Sequence, residues 1–251
     1  MPDNPIGKEN LSEFNTYLLK ALNTNEGKAK SMAPYITINK LAEYTEAKAV
    51  RRRQILKSLK EDKDYTKVWY QPVRSSLTSY FRSNYDISIL NNAIQECQKK
   101  SPTTTWDTSD KDNSILALES LKDTELPDLS DYDVVMPDEK LESILLSGVK
   151  VTIKPEIYLI NKHSRKVGAI KFHLAKTEAN RLSQPAMQNA ATMIKYGLIE
   201  SGYNIKDIDT NACLSIDIFA KNYAASPAAY IRTLETLKVC CEEIFVRWDS
   251  I

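Results

Sequence analysis

The chain has 251 residues, with 34 Lys and Arg against 33 Asp and Glu, 42% hydrophobic residues and 27% charged ones, an ordinary globular composition for one large domain or two small ones. A chain of this length buries roughly 70–75% of its unfolded surface, so neither disulfides nor a structural metal is needed to hold a core. It contains no apolar run of about 18 residues and no basic-apolar-small export pattern at Met1, which argues against a membrane span and places the protein in the cytoplasm.

The four cysteines, Cys97, Cys213, Cys240 and Cys241, lack CxxC spacing, and neighbours such as Cys240 and Cys241 sit about 100° apart on a helix, so they read as reduced packing residues. Two histidines, His163 and His173, are too few for a multi-histidine metal site, and the six glycines form neither GxGxxG nor GxxxxGK[ST]. Net charge near zero hides a segregation: residues 30–82 carry a net +7 and residues 83–147 a net −9. Two readings follow, an internal electrostatic contact between the blocks or a phosphate-binding surface on the basic one.

In chain order, Leu11, Phe14, Leu18, Leu19 and Leu22 follow helical spacing. Thr37 caps a second helix carrying Ile38, Leu41 and Tyr44, and a third runs over 50–60 with Ile55, Leu56 and Leu59 on one side. Further helices are expected at 71–82 and 86–99, making 1–100 a helical region. Residues 101–136, rich in Ser, Thr, Asp and Pro, read as an acidic linker with one helical patch at 115–121, to which Trp106, Tyr132, Val134 and Val135 lend docking surface. The remainder, 137–251, reads as a mixed-sheet domain. A short helix over 139–146 stops at Gly148, and β-rich runs at 149–160 and 166–175 are joined by the loop 161–165. A helix at 184–200, a strand at 212–220 and a last helix over 227–248, opened by Ser226-Pro227, complete the α/β fold.

Alternation along the second β-run places Ile170, Phe172 and Leu174 on a core face and Ala169, Lys171 and His173 on the other. Pairing the two runs by their apolar faces brings Glu156 and Lys171 to one side of the sheet. At its plainest this is an exposed cross-strand ion pair, worth about 0.2–1 kcal/mol; on rigid strands it is also a scaffold for a site. His173, on the Lys171 face, reads either as a phosphate or metal ligand or as a half-buried polar residue. The basic stretch Arg51, Arg52, Arg53, Lys57, Lys60, Lys63 and Lys67, followed by Tyr65, Trp69 and Tyr70, reads either as a nucleic-acid surface, with aromatics to stack on unpaired bases, or as a solvated helix face.

Lys154-Pro155-Glu156, followed by Ala169-Ile170-Lys171 on the next strand, resembles the PD-(D/E)XK, restriction-endonuclease-like nuclease core. A preceding helix bearing Glu142 and a following one bearing Gln188 and Tyr196 extend the resemblance over 137–220. It implies a C-terminal restriction-endonuclease-like domain acting on DNA or RNA with Mg2+ or Mn2+. Glu156 and Glu142 would hold metal with the Ile170 carbonyl, Lys171 would orient the attacking water, and Gln188 would support from the helix. Ala169 stands where the family has its second acid, so the expected hydrolysis is weak or absent. The family's first two strands would here be one strand bent at Pro155. The alternative is a non-enzymatic adaptor that keeps the fold as a scaffold for protein partners.

Overall fold

The computed structural model describes residues 33–61, 69–136 and 141–251; the helix expected at 11–22, the residues Lys63, Tyr65 and Lys67, and the start of the helix expected at 139 lie outside them. Among the described residues, no helix is long and apolar enough to cross a membrane. A short strand β1 (Tyr35–Thr37) leads into α1 (Ile38–Glu46), whose N-terminus is capped by the Thr37 side chain as the sequence indicates. Then come α2 (Ala49–Lys60), α3 (Gln71–Arg82), α4 (Ile87–Lys99) and α5 (Thr105–Lys122). Strands β2 (Tyr132–Val135), β3 (Ser143–Leu146), β4 (Val149–Thr152), β5 (Ile157–Asn161) and β6 (Val167–His173) follow. The chain ends with α6 (Gln184–Glu200), β7 (Ile208–Asp217), β8 (Asn222–Ala225) and α7 (Tyr230–Arg247).

Three expectations are corrected. The segment 101–136 is not a linker. Its first part is α5, of 18 residues, held at its start by a reciprocal capping box between Thr104 and Asp107. Its last part is β2, paired antiparallel with β5, and Pro34–Ile251 forms one structural unit. Residues 143–146 are a strand, not a helix, because Ser147 (φ 45°) and Gly148 (φ 79°) form a two-residue turn with both φ values positive, the geometry that folds β3 back onto β4. Finally, α7 begins three residues beyond Pro227, at Tyr230.

The run 149–160 divides more sharply than a bend. Lys154 adopts φ 39° before Pro155, and the halves join two different sheets. One sheet has the order β1-β4-β3, and the other has the order β2-β5-β6-β7-β8. In the larger sheet β6 and β7 are parallel, joined through α6, and the other neighbours are antiparallel. Both sheets are therefore mixed.

The larger sheet is covered on both faces. Ile157, Leu159, Ile170, Phe172, Leu214 and Ile216 pack against Val73, Leu77 and Phe81 of α3, Leu90 of α4 and Leu118 of α5. Tyr158, Ala169 and Cys213 pack on the opposite side with Met193 and Ile194 of α6, the small sheet, and apolar residues of α1, α2 and α7. The face expected to lie outside the core, bearing Ala169 and His173, is thus interior. Four-helix coverage on that side removes it from water, which period-2 alternation alone does not reveal. All four cysteines are buried and unpaired, and burial pushes the Cys213 and Cys241 thiols up to about 12, leaving them protonated packing groups.

At the entry of β6, pairing with β7 is irregular between Val167 and Ala169. A Cβ on Gly168 would fall 2.4 Å from both the Cβ and the carbonyl oxygen of Ala212. Because backbone cannot withdraw as a side-chain tip can, Gly168→Ala is expected to cost about 1–3 kcal/mol. The check is the urea midpoint at constant m-value; an unshifted midpoint contradicts so close an approach.

Candidate functional site

The break at Lys154–Pro155 sets up the site. Glu156 stands immediately before β5, and its amide donates to the Ile170 carbonyl at 2.9 Å, so it enters the sheet in register with Lys171. Here the β5 ladder ends, and the Phe172 N–H is met by the carboxylate itself, at 3.0 Å from Oε2. The other oxygen, Oε1, receives Lys171 Nζ at 3.0 Å and Arg74 Nη1 of α3 at 2.5 Å. Lys171 Nζ also donates to the Lys154 carbonyl at 2.6 Å. Glu156 and Lys171 side chains are each 13% exposed, so the expected exposed pair is instead a half-enclosed one, in which solvent screening is reduced.

The structure therefore brings Glu156 and Lys171 together, and adds Arg74. Glu142 does not reach them. Its segment is not helical, and its carboxylate is 61% exposed, pairing with Lys154 Nζ at 3.2 Å. Gln188 is half-buried on α6 and is not among the polar partners of Glu156 or Lys171. His173 Nε2 donates to the Asn180 carbonyl at 2.8 Å and lies 4.0 Å from Asp217 Oδ2. Asp217, fully buried, accepts from the amides of Leu182, Phe219 and Ala220. That pair holds the loops following β6 and β7, a structural task.

A hard divalent cation wants about six oxygen ligands from carboxylates, carbonyls and water. Here the second-acid position is the fully buried methyl of Ala169, the Ile170 carbonyl already accepts a sheet hydrogen bond, and both Glu156 oxygens accept from nitrogen donors. Among the described residues no cluster of three or more His, Cys, Asp or Glu side chains is arranged to hold a metal. This donor set does not fit Mg2+ or Mn2+.

The basic helix α2 is largely committed inward. Arg51 pairs with Glu43 and reaches Asn180 Oδ1 at 2.7 Å. Arg52 binds Glu243 at 2.6 Å, donates to the Tyr44 and Thr45 carbonyls, and lies over the Tyr44 ring. Lys60 donates to the Trp248 carbonyl, with its ammonium over that indole. Arg53 and Lys57, one helical turn apart, are exposed and make no hydrogen bond or ion pair with a described residue. Arg53 lines a cleft of about 380 Å³ with Arg247, Ser250 and Ile251.

Arg74 and Arg247 escape sequence reasoning. Arg74 lies 82 residues from Glu156 on an otherwise ordinary amphipathic helix, and no local spacing signals the pairing. Comparison of the chain with protein-family models, curated proteins and solved structures finds no match.

If Glu156 is the hub, its removal leaves two cations facing each other and the Phe172 amide unpaired. Glu156→Ala is therefore expected to destabilise by about 1–3 kcal/mol. Arg74→Met should cost less, since Glu156 keeps Lys171 and the amide. Urea unfolding of both singles and the double variant measures the coupling. Strict additivity would mean that Arg74 does not engage the carboxylate in solution.

Proposed function

We propose that the chain is a nucleic-acid-interacting protein on a PD-(D/E)XK nuclease-like framework whose hydrolytic centre has become an ion-pair network, so that it binds without cutting. The observation that carries this reading is the Arg74 guanidinium on Glu156. A fixed organic cation sits on the carboxylate where a nuclease of that kind would bring metal. An arginine neutralises that carboxylate but supplies no acidic water, so the arrangement preserves the charge balance of a metal centre without its chemistry.

The binding surface in this reading is the exposed part of α2 and the end of α7. Arg53, Lys57 and Arg247 are cationic, and Ser250 adds a hydroxyl in the same cleft as Arg53 and Arg247. Phosphate contacts by a few such residues give affinity that falls steeply with salt and carries little sequence preference.

A second reading has its own observation. On α7, Ile231, Val239 and Val246 are exposed apolar residues spaced along one stripe, with Val246 79% exposed and Phe245 beside it. Such a stripe supports the adaptor alternative, in which the fold presents α7 to a protein partner.

The two readings separate in one set of assays. Single- and double-stranded DNA and RNA oligonucleotides, incubated with Mg2+ or Mn2+, should remain intact. Binding should weaken with rising salt, and the double variant Arg53→Glu/Lys57→Glu should lose about tenfold or more in affinity. Metal-dependent cutting abolished by Lys171→Ala would overturn the non-hydrolytic part. Absence of salt-sensitive binding to every oligonucleotide would overturn the nucleic-acid part and leave the α7 stripe as the better lead.

A further inference from the structure

A second cleft, of about 640 Å³, opens between the start of α3 (Gln71, Pro72), the end of α4 (Cys97, Lys100) and the first turns of α5 (Trp106, Asp110). Its volume lies in the range that holds a small organic ligand. Three side chains give it chemical character. Trp106 forms part of the wall, and Trp69 leans against that indole with ring centroids 5.2 Å apart and planes tilted by 58°.

Asp110 is only 9% exposed. Its Oδ1 accepts the Tyr70 amide at 2.7 Å, and its Oδ2 receives no hydrogen bond from a described residue. An ionised carboxylate can only accept, so whatever occupies the cleft beside it must bring N–H or O–H donors. Asp107, which also lines the cleft, is already engaged by Thr103 and Thr104 in the cap of α5.

Positive charge stands at the rim. Lys100 is exposed, and Lys111 Nζ is tied to the Gln98 and Lys100 carbonyls at 3.1 and 2.9 Å. A simple alkylammonium would meet Asp110 but be repelled by both lysines. Bare phosphate would meet Lys100 but be repelled by Asp110 and Asp107. A ligand that satisfies the whole lining is flat and aromatic, carries N–H donors along one edge, and ends in a negative group.

We propose that this cleft binds a nucleotide unit, its base stacked at Trp106, its Watson–Crick edge on Asp110 and its phosphate toward Lys100. Guanine suits it best, because N1–H and N2–H are adjacent donors on one edge, one for the open Oδ2 and one for the lone pair that the Tyr70 amide leaves on Oδ1. Base–aromatic stacking is tolerant of base identity, so selectivity comes from Asp110. The proposal deepens the nucleic-acid reading but uses residues separate from Arg53, Lys57 and Arg247. The nucleotide can be free or part of a single strand; the chemistry at the cleft is the same.

The test is tryptophan fluorescence of the full chain, in which Trp248 is buried and the responsive indoles are Trp69 and Trp106. Titration with GMP is expected to give saturable quenching that ribose 5-phosphate does not reproduce. Asp110→Asn keeps an oxygen for the Tyr70 amide but loses the second acceptor, and should weaken GMP about tenfold or more without shifting the thermal midpoint. Lys100→Ala should bring GMP down to the affinity of guanosine. Equal quenching by ribose 5-phosphate, no saturable response to GMP, or unchanged affinity in Asp110→Asn overturns the proposal. A 5′-phosphorylated, guanine-containing single-stranded tetranucleotide that binds more tightly than GMP, with the same Asp110→Asn loss, assigns the cleft to a strand. GMP binding as tightly as the tetranucleotide assigns it to a free nucleotide. Arg53→Glu should leave GMP affinity unchanged, so a failure of the α2 surface and a failure of this cleft are read separately.

Discussion

A single carboxylate holds the junction on which the layered arrangement depends. Where Lys154 and Pro155 take the chain out of one sheet and into another, the ladder between β6 and β5 ends at Ile170 while that with β7 runs on, and an unpaired Phe172 amide inside the protein would cost about 1–3 kcal/mol. Glu156 meets that amide with its side chain. Its remaining acceptor capacity is then taken by Lys171 from the sheet and Arg74 from α3, so one group ties strand, neighbouring strand and covering helix together. The cluster of one anion and two cations is anchored further by the Lys154 carbonyl, which accepts from Lys171. Pairing of this kind is stable only when every donor is met, and here the hydrogen bonds on Glu156 and Lys171 supply that condition.

The same geometry accounts for the fate of the charge segregation. Among the described residues, no ion pair joins the basic block 30–82 to the acidic block 83–147. The basic block's arginines find Glu43 within the block, and Glu156 and Glu243 beyond the acidic one, while Arg82 donates to the Val134 carbonyl. Charge runs in sequence thus become a set of individual tethers between α1, α2, α3 and the C-terminal elements. On α2 itself, Arg53 and Lys57 are the cations left turned outward, chosen by which side of the helix faces solvent rather than by where positive charge is densest.

The degree to which this was legible in the sequence follows from what each signal measures. Helices with a clear apolar stripe and a capping residue, such as Ile38–Glu46 after Thr37, stand out because cap and periodicity agree. Helix α5 hides because its first two turns, TWDTSDK, hold a single apolar residue, and its buried residues include Asp110 and Ser114, so composition says linker while the Thr104–Asp107 box says helix. Residues 143–146 mislead because Gly148 serves helix ends and hairpin turns alike, and the positive φ of Ser147 has no glycine to announce it. Period-2 alternation correctly put Glu156 and Lys171 side by side, but it could not tell that the Ala169 face would be roofed by α6, nor supply Arg74. Both depend on helix placement over the sheet, which is a tertiary outcome.

Helix α3 joins the two regions where chemistry concentrates. Gln71 and Pro72 at its start form a wall of the tryptophan cleft, and Arg74 in its first turn grips Glu156. The position of that first turn is also set from the other side, since Tyr70, in the left-handed conformation at φ 60°, hands its amide to Asp110 of α5. The start of α3 is consequently held between two carboxylates, one reaching from α5 and one standing at the mouth of β5. A ligand that draws on Asp110 in the cleft must act against a segment already clamped at Arg74, which favours a preformed site over one that closes around its occupant. The Arg74–Glu156 ion pair and the wall of the neighbouring cleft are in this sense two consequences of the same helix start.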